Sequence, residues 1–164
     1  MTLTKMNYGV APYETLRSLS GLEFLKRICD GRLPQTPIAD TLGFRMTEVK
    51  DGFTAFEGKP SYSFYNPLGT VHGGWYGTLI DSCMGCAVHA TLEPGAGYTT
   101  MEYSVNLVRA IVEETGLVRA EGRIVHRGRR VATAEGKLLD GDGNLLAHGT
   151  TTCLIISLPE RPAA

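Results

Sequence analysis

The segment NPLGTVHGGWYGTLIDSCMG, residues 66–85, is a loop that turns into a helix. Pro67, Gly69, Gly73 and Gly74 crowd its first part, and these residue types interrupt regular structure. Beyond them Trp75, Leu79, Ile80, Met84, Ala87 and Val88 fall in different helical phases. A helix running to about residue 91 is therefore apolar nearly all round, the pattern of a helix buried in a core. Gly77, Gly85 and Ala87 are small enough to let a sheet approach it closely. Between Lys59 and Glu93 the only formally charged side chain is Asp81. A carboxylate in such surroundings loses hydration, so its pKa is expected to rise and its basicity to exceed that of a surface aspartate.

Upstream, Ser20 and Glu23 form a capping-box pair. Leu22, Leu25 and Ile28 recur at helical spacing, and Gly31 with Pro34 supplies a stop, predicting a helix over residues 22–30. A connector, LPQTP, leads to two short runs flanking Asp51-Gly52, a β-hairpin signal. Downstream, Met101, Tyr103, Val105 and Leu107 alternate with Thr100, Glu102, Ser104 and Asn106, which is a strand. Further strands are expected over residues 117–126, 130–139 and 144–156, joined by RGR and DGDG turns. An antiparallel meander with one apolar face per strand fits an α+β architecture in which a single sheet curls around the buried helix. The expected organisation is an N-terminal helical extension over residues 1–35, the sheet-and-helix domain over 36–158, and a frayed tail over 159–164.

At 164 residues, with 43% apolar and 20% charged side chains, the chain has room for one compact domain. A formal charge of −1 leaves no global field for nucleic acid or an anionic membrane, so a small-molecule partner is expected. The opening residues lack the apolar core of a signal peptide, and no run reaches the roughly 18 apolar residues of a membrane span, so a cytoplasmic location is expected. Four cysteines are too few and too scattered for a disulfide scaffold. Cys83-x-x-Cys86 lies in mid-helix without further ligands at zinc spacing, and His89, His126 and His148 are dispersed, so neither metal nor cofactor is expected.

The run NPLGTVHGG with Asp81 in the following helix, then the strands and DGDGNLLAHGTTT, resembles the hotdog-fold acyl-CoA thioesterases of the PaaI-like (phenylacetic acid degradation) branch. GLEFLKRICDGRLP and LGF extend the resemblance upstream over nearly the whole chain. It implies hydrolysis of an acyl-CoA thioester to a free acid and coenzyme A. By the resemblance, Asp81 is general base or nucleophile, Asn66 helps bind and polarise the thioester, and His72 orients the loop or the leaving sulfur. A Ser or Thr after the helix positions the water in this family, and Thr99 is the best match, with Thr100 second.

The residues themselves support part of this. Helix N-terminal N–H groups lack internal acceptors and sit at the positive end of the helix dipole, and glycine lets a ligand reach them. A thioester oxygen against Gly73 or Gly74 would be stabilised as it becomes negative. Asp81 lies about 12 Å along the axis from Gly73 at 1.5 Å per residue. A shared site therefore calls for a second subunit, and the family forms a homodimer or dimer of dimers (a homotetramer). Arg127, Arg129 and Arg130 are candidate contacts for coenzyme A phosphates.

Each feature also has a purely structural reading: His72 as a cap, Gly73-Gly74 as a tight turn, Asp81 as a buried acid bonded locally, and the arginines as a solvated hairpin. Two other functions use the same fold, a non-catalytic acyl-CoA binding or sensing protein and a hydratase. The presence of Asp81 disfavours the first, and its separation from His72 the second. No GxSxG elbow, P-loop or GxGxxG supports another chemistry.

Overall fold

The computed structural model describes residues 7–160. The opening six residues of the expected N-terminal extension and residues 161–164 of the expected tail lie outside the described residues. The elements are α1 (Tyr13–Ser18), α2 (Gly21–Cys29), α3 (Pro37–Thr41), β1 (Phe44–Lys50), β2 (Phe53–Gly58), α4 (Gly73–His89), β3 (Ala96–Leu107), β4 (Val118–Arg127), β5 (Val131–Leu139) and β6 (Leu145–Ser157).

The predicted elements are present with ends shifted by a few residues. In α2 the Ser20 hydroxyl accepts from the Glu23 N–H, and Leu25 and Ile28 are buried on one side. Gly52 adopts φ 64 between β1 and β2, the left-handed value that a tight hairpin requires. Two short helices, α1 after Pro12 and α3 with proline in its first turn, carry no periodicity that the sequence reading could use. Of the expected frayed tail, Pro159 is held: its carbonyl accepts from the Tyr13 hydroxyl at 2.9 Å.

All six strands form one antiparallel sheet in the order β1-β2-β4-β5-β6-β3. This is the hotdog fold. The meander is thus interrupted: β3 pairs with β6 at the far edge, and residues 108–117 carry the chain back so that β4 lies beside β2. The fully buried Ile111 anchors that return, its carbonyl accepting from the Val71 N–H at 2.9 Å.

The sheet wraps α4, whose Leu79, Ile80, Cys83, Met84, Ala87 and Val88 are wholly buried. Helix and sheet touch at backbone distance. A Cβ on Gly122 of β4 would lie 2.1 Å from the Cys83 carbonyl oxygen, so no larger residue fits there. On β2, Thr54 donates to that same oxygen at 2.7 Å, satisfying a buried polar pair. Leu25 and Ile28 of α2 belong to the same buried cluster.

The two edges of the sheet differ. At β1 the Gln35 amide accepts from the Met46 N–H at 3.1 Å and donates to the Met46 carbonyl at 3.2 Å, standing in for a further strand. At β3 no described residue pairs with the outer side, and Met101, Tyr103 and Leu107 are 61%, 47% and 54% exposed. An unprotected edge with apolar side chains is a surface suited to a partner strand.

Candidate active site

The site grows from α4. Its first turn is closed by the side chain before it: His72 is the N-cap, and its Nδ1 accepts from the Gly74 N–H at 2.9 Å. Of the two N–H groups offered as alternatives for the thioester oxygen, Gly73 and Gly74, that bond engages the second. The Gly73 N–H has no acceptor among the described residues, and at the positive end of the helix it remains available.

The preceding loop is held by Asn66. Its Oδ1 accepts from the Leu68 N–H at 2.8 Å and the Thr70 N–H at 3.4 Å, while Nδ2 donates to the Thr70 hydroxyl at 3.0 Å. One of its two amide N–H bonds is left over for a ligand. The aromatic residues near the motif are packing: Trp75 donates to the Leu42 carbonyl and stacks on Phe64, and Tyr76 donates to the Arg109 carbonyl.

Two turns further on, Asp81 is half-buried, and no basic side chain pairs with it among the described residues. Burial holds its carboxyl above the usual aspartate range, opposed by a hydrogen bond that Thr100 donates to Oδ1 at 3.2 Å. Thr100 takes the place expected of Thr99, which is exposed on the other face of β3. The cause is a β-bulge. In an unbroken strand Thr99 would share the face of Tyr103, but the register shifts between Thr100 and Glu102, so Tyr98 and Thr100 face the helix before the bulge and Tyr103 after it.

Asp81 opens into an apolar cavity of about 300 Å³. Phe24, Leu25 and Ile28 of α2 roof it, Met46 and Phe56 come from β1 and β2, and Ser82, Cys86 and His89 follow Asp81 along α4. The sequence reading missed this pocket. The signal available was the apolar stripe of α2 together with the His89 position on α4. Cys83 is fully buried and Cys86 is pushed up to about 12 by burial, so both stay as unreactive thiols. Among the described residues no three His, Cys, Asp or Glu side chains gather around a point that could hold a metal ion. No described helix is long and apolar enough to cross a membrane.

Arg127, Arg129 and Arg130 are exposed at the β4–β5 turn and form no ion pair among the described residues; Arg127 donates to the Gly128 carbonyl. The structure does not bring them to Asp81. It also keeps Gly73 and Asp81 apart within one chain, eight residues along one helix, or about 12 Å.

Comparison with known proteins gives the family. Residues 68–147 match the family model of the Thioesterase superfamily. A phenylacetic acid degradation-related protein of Ralstonia eutropha JMP134 is 34% identical, with 79% of this chain and 97% of that chain covered and a TM-score of 0.71. A thioesterase of Haemophilus influenzae shares the fold at 19% identity, covering 91% of this chain and 99% of that one with a TM-score of 0.73. Among curated relatives, a 1,4-dihydroxy-2-naphthoyl-CoA hydrolase of Listeria monocytogenes is 22% identical over 118 residues, 72% of this chain and 94% of the relative. The chain belongs to the thioesterase superfamily. It is a thioester hydrolase of the hotdog fold, on the PaaI-like side of that family.

Proposed function

We propose that the protein hydrolyses an acyl-CoA thioester to a free acid and coenzyme A in a site shared by two copies of the chain. The observation that carries this is the placement of Asp81. It is a half-buried carboxylate with no cation beside it among the described residues, bonded by one threonine and set at the mouth of an apolar cavity. The acyl group lies in the cavity with its carbonyl at the mouth. Asp81 either takes a proton from the attacking water or attacks the carbonyl carbon itself. Thr100 aims the carboxylate.

The partner copy contributes the other half. Its Gly73 N–H, with the free amide N–H of Asn66 beside the loop, donates to the carbonyl oxygen as the C–O bond gains negative charge. His72 secures the loop by taking the Gly74 N–H, which leaves Gly73 as the single backbone donor. The bare β3 edge with its exposed apolar side chains is the surface through which two copies meet, and a dimer of dimers is the larger assembly proposed. No metal or separate cofactor takes part, the setting is the cytoplasm, and Arg127, Arg129 and Arg130 reach the coenzyme A phosphates from the rim.

A panel of acyl-CoA thioesters assayed for thiol release tests the reading. Turnover of at least one with kcat above about 1 s⁻¹ is expected, within the ordinary enzyme range. Tight binding across the panel without thiol release would instead identify an acyl-CoA binding protein.

A further inference from the structure

The wall of the apolar cavity is unevenly fastened. Its lining runs from Asp81 along α4 to His89 and across to Leu16 of α1. Leu16 sits near the C-terminal end of α4, because the carbonyl of the next residue, Arg17, accepts at 2.8 Å from the N–H of Gly95, which lies between α4 and β3. Leu16 therefore closes the end of the cavity remote from Asp81.

α1 is the middle of a strap. Its two anchors are backbone bonds: the Gly9 N–H donates to the Gln35 carbonyl and the Gly21 N–H to the Leu92 carbonyl, both at 2.8 Å. Between these anchors no residue from 10 to 20 is buried. α1 itself is six residues long, without a buried residue or a side-chain cap, and isolated helices shorter than about 12 residues are marginal in water. The Tyr13 hydroxyl donates to the Pro159 carbonyl at 2.9 Å, and Arg17 approaches Glu160 to 3.7 Å. The Glu160 side chain is 91% exposed, so that ion pair adds little. Arg17 Nε is buried without a partner among the described residues, a cost that lifting the strap into water removes. α2, which forms the rest of the roof, is different: Gly21, Leu25 and Ile28 are buried and hold it in place. Few buried contacts and an unsatisfied donor mark the strap as the part of the wall that opens most easily.

We propose that the strap over residues 10–20 is a gate at the far end of the cavity, lifting so that an acyl chain longer than the closed cavity passes out beneath Leu16. The gate thereby sets which chain lengths are hydrolysed. This rests on the reading that the cavity holds the acyl group. The closed length follows from the helix: Asp81 and His89 are eight residues apart, about 12 Å along the axis. An extended chain advances roughly 1.3 Å per carbon, so about nine carbons fit beneath a closed strap. Octanoyl thioesters fit with the gate shut, and palmitoyl thioesters need it lifted.

The test compares octanoyl-CoA with palmitoyl-CoA held below its micelle concentration. A protein carrying Tyr13→Cys and Pro159→Cys is joined at those positions by a short bis-maleimide, and a second sample is capped at both with N-ethylmaleimide. Mass spectrometry verifies the link, and wild-type protein treated with each reagent controls for Cys29 and Cys86. Affinity scales with the fraction of competent protein, so the linked sample should lose about tenfold or more in kcat/KM on palmitoyl-CoA while staying within about threefold of the capped one on octanoyl-CoA. Tyr13→Phe with Glu160→Ala loosens the strap and should raise palmitoyl-CoA kcat/KM by about threefold to tenfold, with octanoyl-CoA unchanged. Hydrogen exchange on Asp81→Asn protein reads the strap without turnover: palmitoyl-CoA should speed exchange over residues 13–19 at least about threefold, and octanoyl-CoA should not. Equal loss on both thioesters, loss on neither, or palmitoyl-CoA accepted with exchange in α1 unchanged overturns the gate while leaving hydrolysis intact. Refusal of palmitoyl-CoA by a protein that hydrolyses octanoyl-CoA does the same. Faster exchange in α1 with palmitoyl-CoA, without thiol release from any thioester, supports the gate and overturns the hydrolytic reading instead.

Discussion

The first turn of α4 and its second half differ in what carries their polarity. At the first turn it is backbone: Gly73 offers a bare N–H at the exposed end of the helix dipole, and His72 fastens the loop around it. In the second half it is side chain. Asp81 and His89 face a cavity walled by Phe24, Leu25, Ile28 and Phe56, where neither has a charged partner among the described residues. A backbone dipole keeps its strength whatever the pH, whereas a carboxylate in an apolar cavity is tuned by the walls around it. One helix thus displays an electrophilic end and a basic middle that a single thioester carbonyl cannot touch at once. On the proposed mechanism each is half of a site.

The largest effect expected is at the basic half. Asp81→Asn preserves size, and its amide oxygen can still accept from Thr100, so the fold should persist. An amide neither takes a proton from water nor attacks, so kcat should fall roughly a hundredfold to ten-thousandfold. Near wild-type thiol release by this variant would remove Asp81 from the chemistry.

At the electrophilic half the effect is smaller. A Cβ on Gly73 would lie 3.1 Å from Leu107 Cδ1, the end of a side chain that can swing aside, so Gly73→Val should fold while its methyls shield the N–H. A loss of about tenfold to a hundredfold in kcat is expected, toward the lower side of what one oxyanion donor is worth. Unaltered kinetics would mean that the carbonyl oxygen is held elsewhere.

The pH profile separates the halves further. Since burial raises the Asp81 pKa, activity should fall on the acid side at a pH above the ordinary aspartate value of about 3.9, by tenfold per unit below the folded pKa. The sign excludes unfolding through this group. A carboxyl whose pKa is higher folded than unfolded stabilises the fold as pH drops through the folded value, so the limb reports lost base rather than lost structure. Thr100→Val removes the bond that opposes burial and should move the limb upward. A limb that stays at the ordinary aspartate position in both proteins would contradict tuning by the cavity. The smallest effect expected is none: dialysis against EDTA should leave thiol release unchanged, and activity restored only by an added divalent ion would require a different mechanism for both halves.

Much of the fold was legible because its signals are local. Ser20, Glu23 and the Leu25/Ile28 spacing specify α2; Asp51-Gly52 specifies the first hairpin; and the apolar run after Gly74, charged only at Asp81, marks α4 as the buried helix. What stayed hidden depends on distant partners. The placement of β3 beside β6 is decided by pairing across about fifty residues, not by the alternation in β3 itself. The exchange of Thr99 for Thr100 comes from a bulge, which reverses the phase of a strand without altering its composition. His72 as the acceptor for Gly74 could be named as a cap but not as the reason that one donor is lost. The cavity escaped notice because its walls come from elements spread along the chain, from Leu16 of α1 to Tyr98 of β3, and His89 becomes conspicuous only when its nitrogens are seen to lack partners among the described residues.

The claim on which the rest depends is that Gly73 of one copy and Asp81 of another serve one thioester. Coexpressing Gly73→Val chains with Asp81→Asn chains, differently tagged, and purifying the doubly tagged oligomer gives particles in which one site holds both lesions and the other neither. Such heterodimers should recover about half of wild-type kcat per dimer, although each parent alone retains about a tenth or less. Heterodimers that are verified by both tags and remain as inactive as the parents would contradict the shared site and place both groups in the same subunit's chemistry.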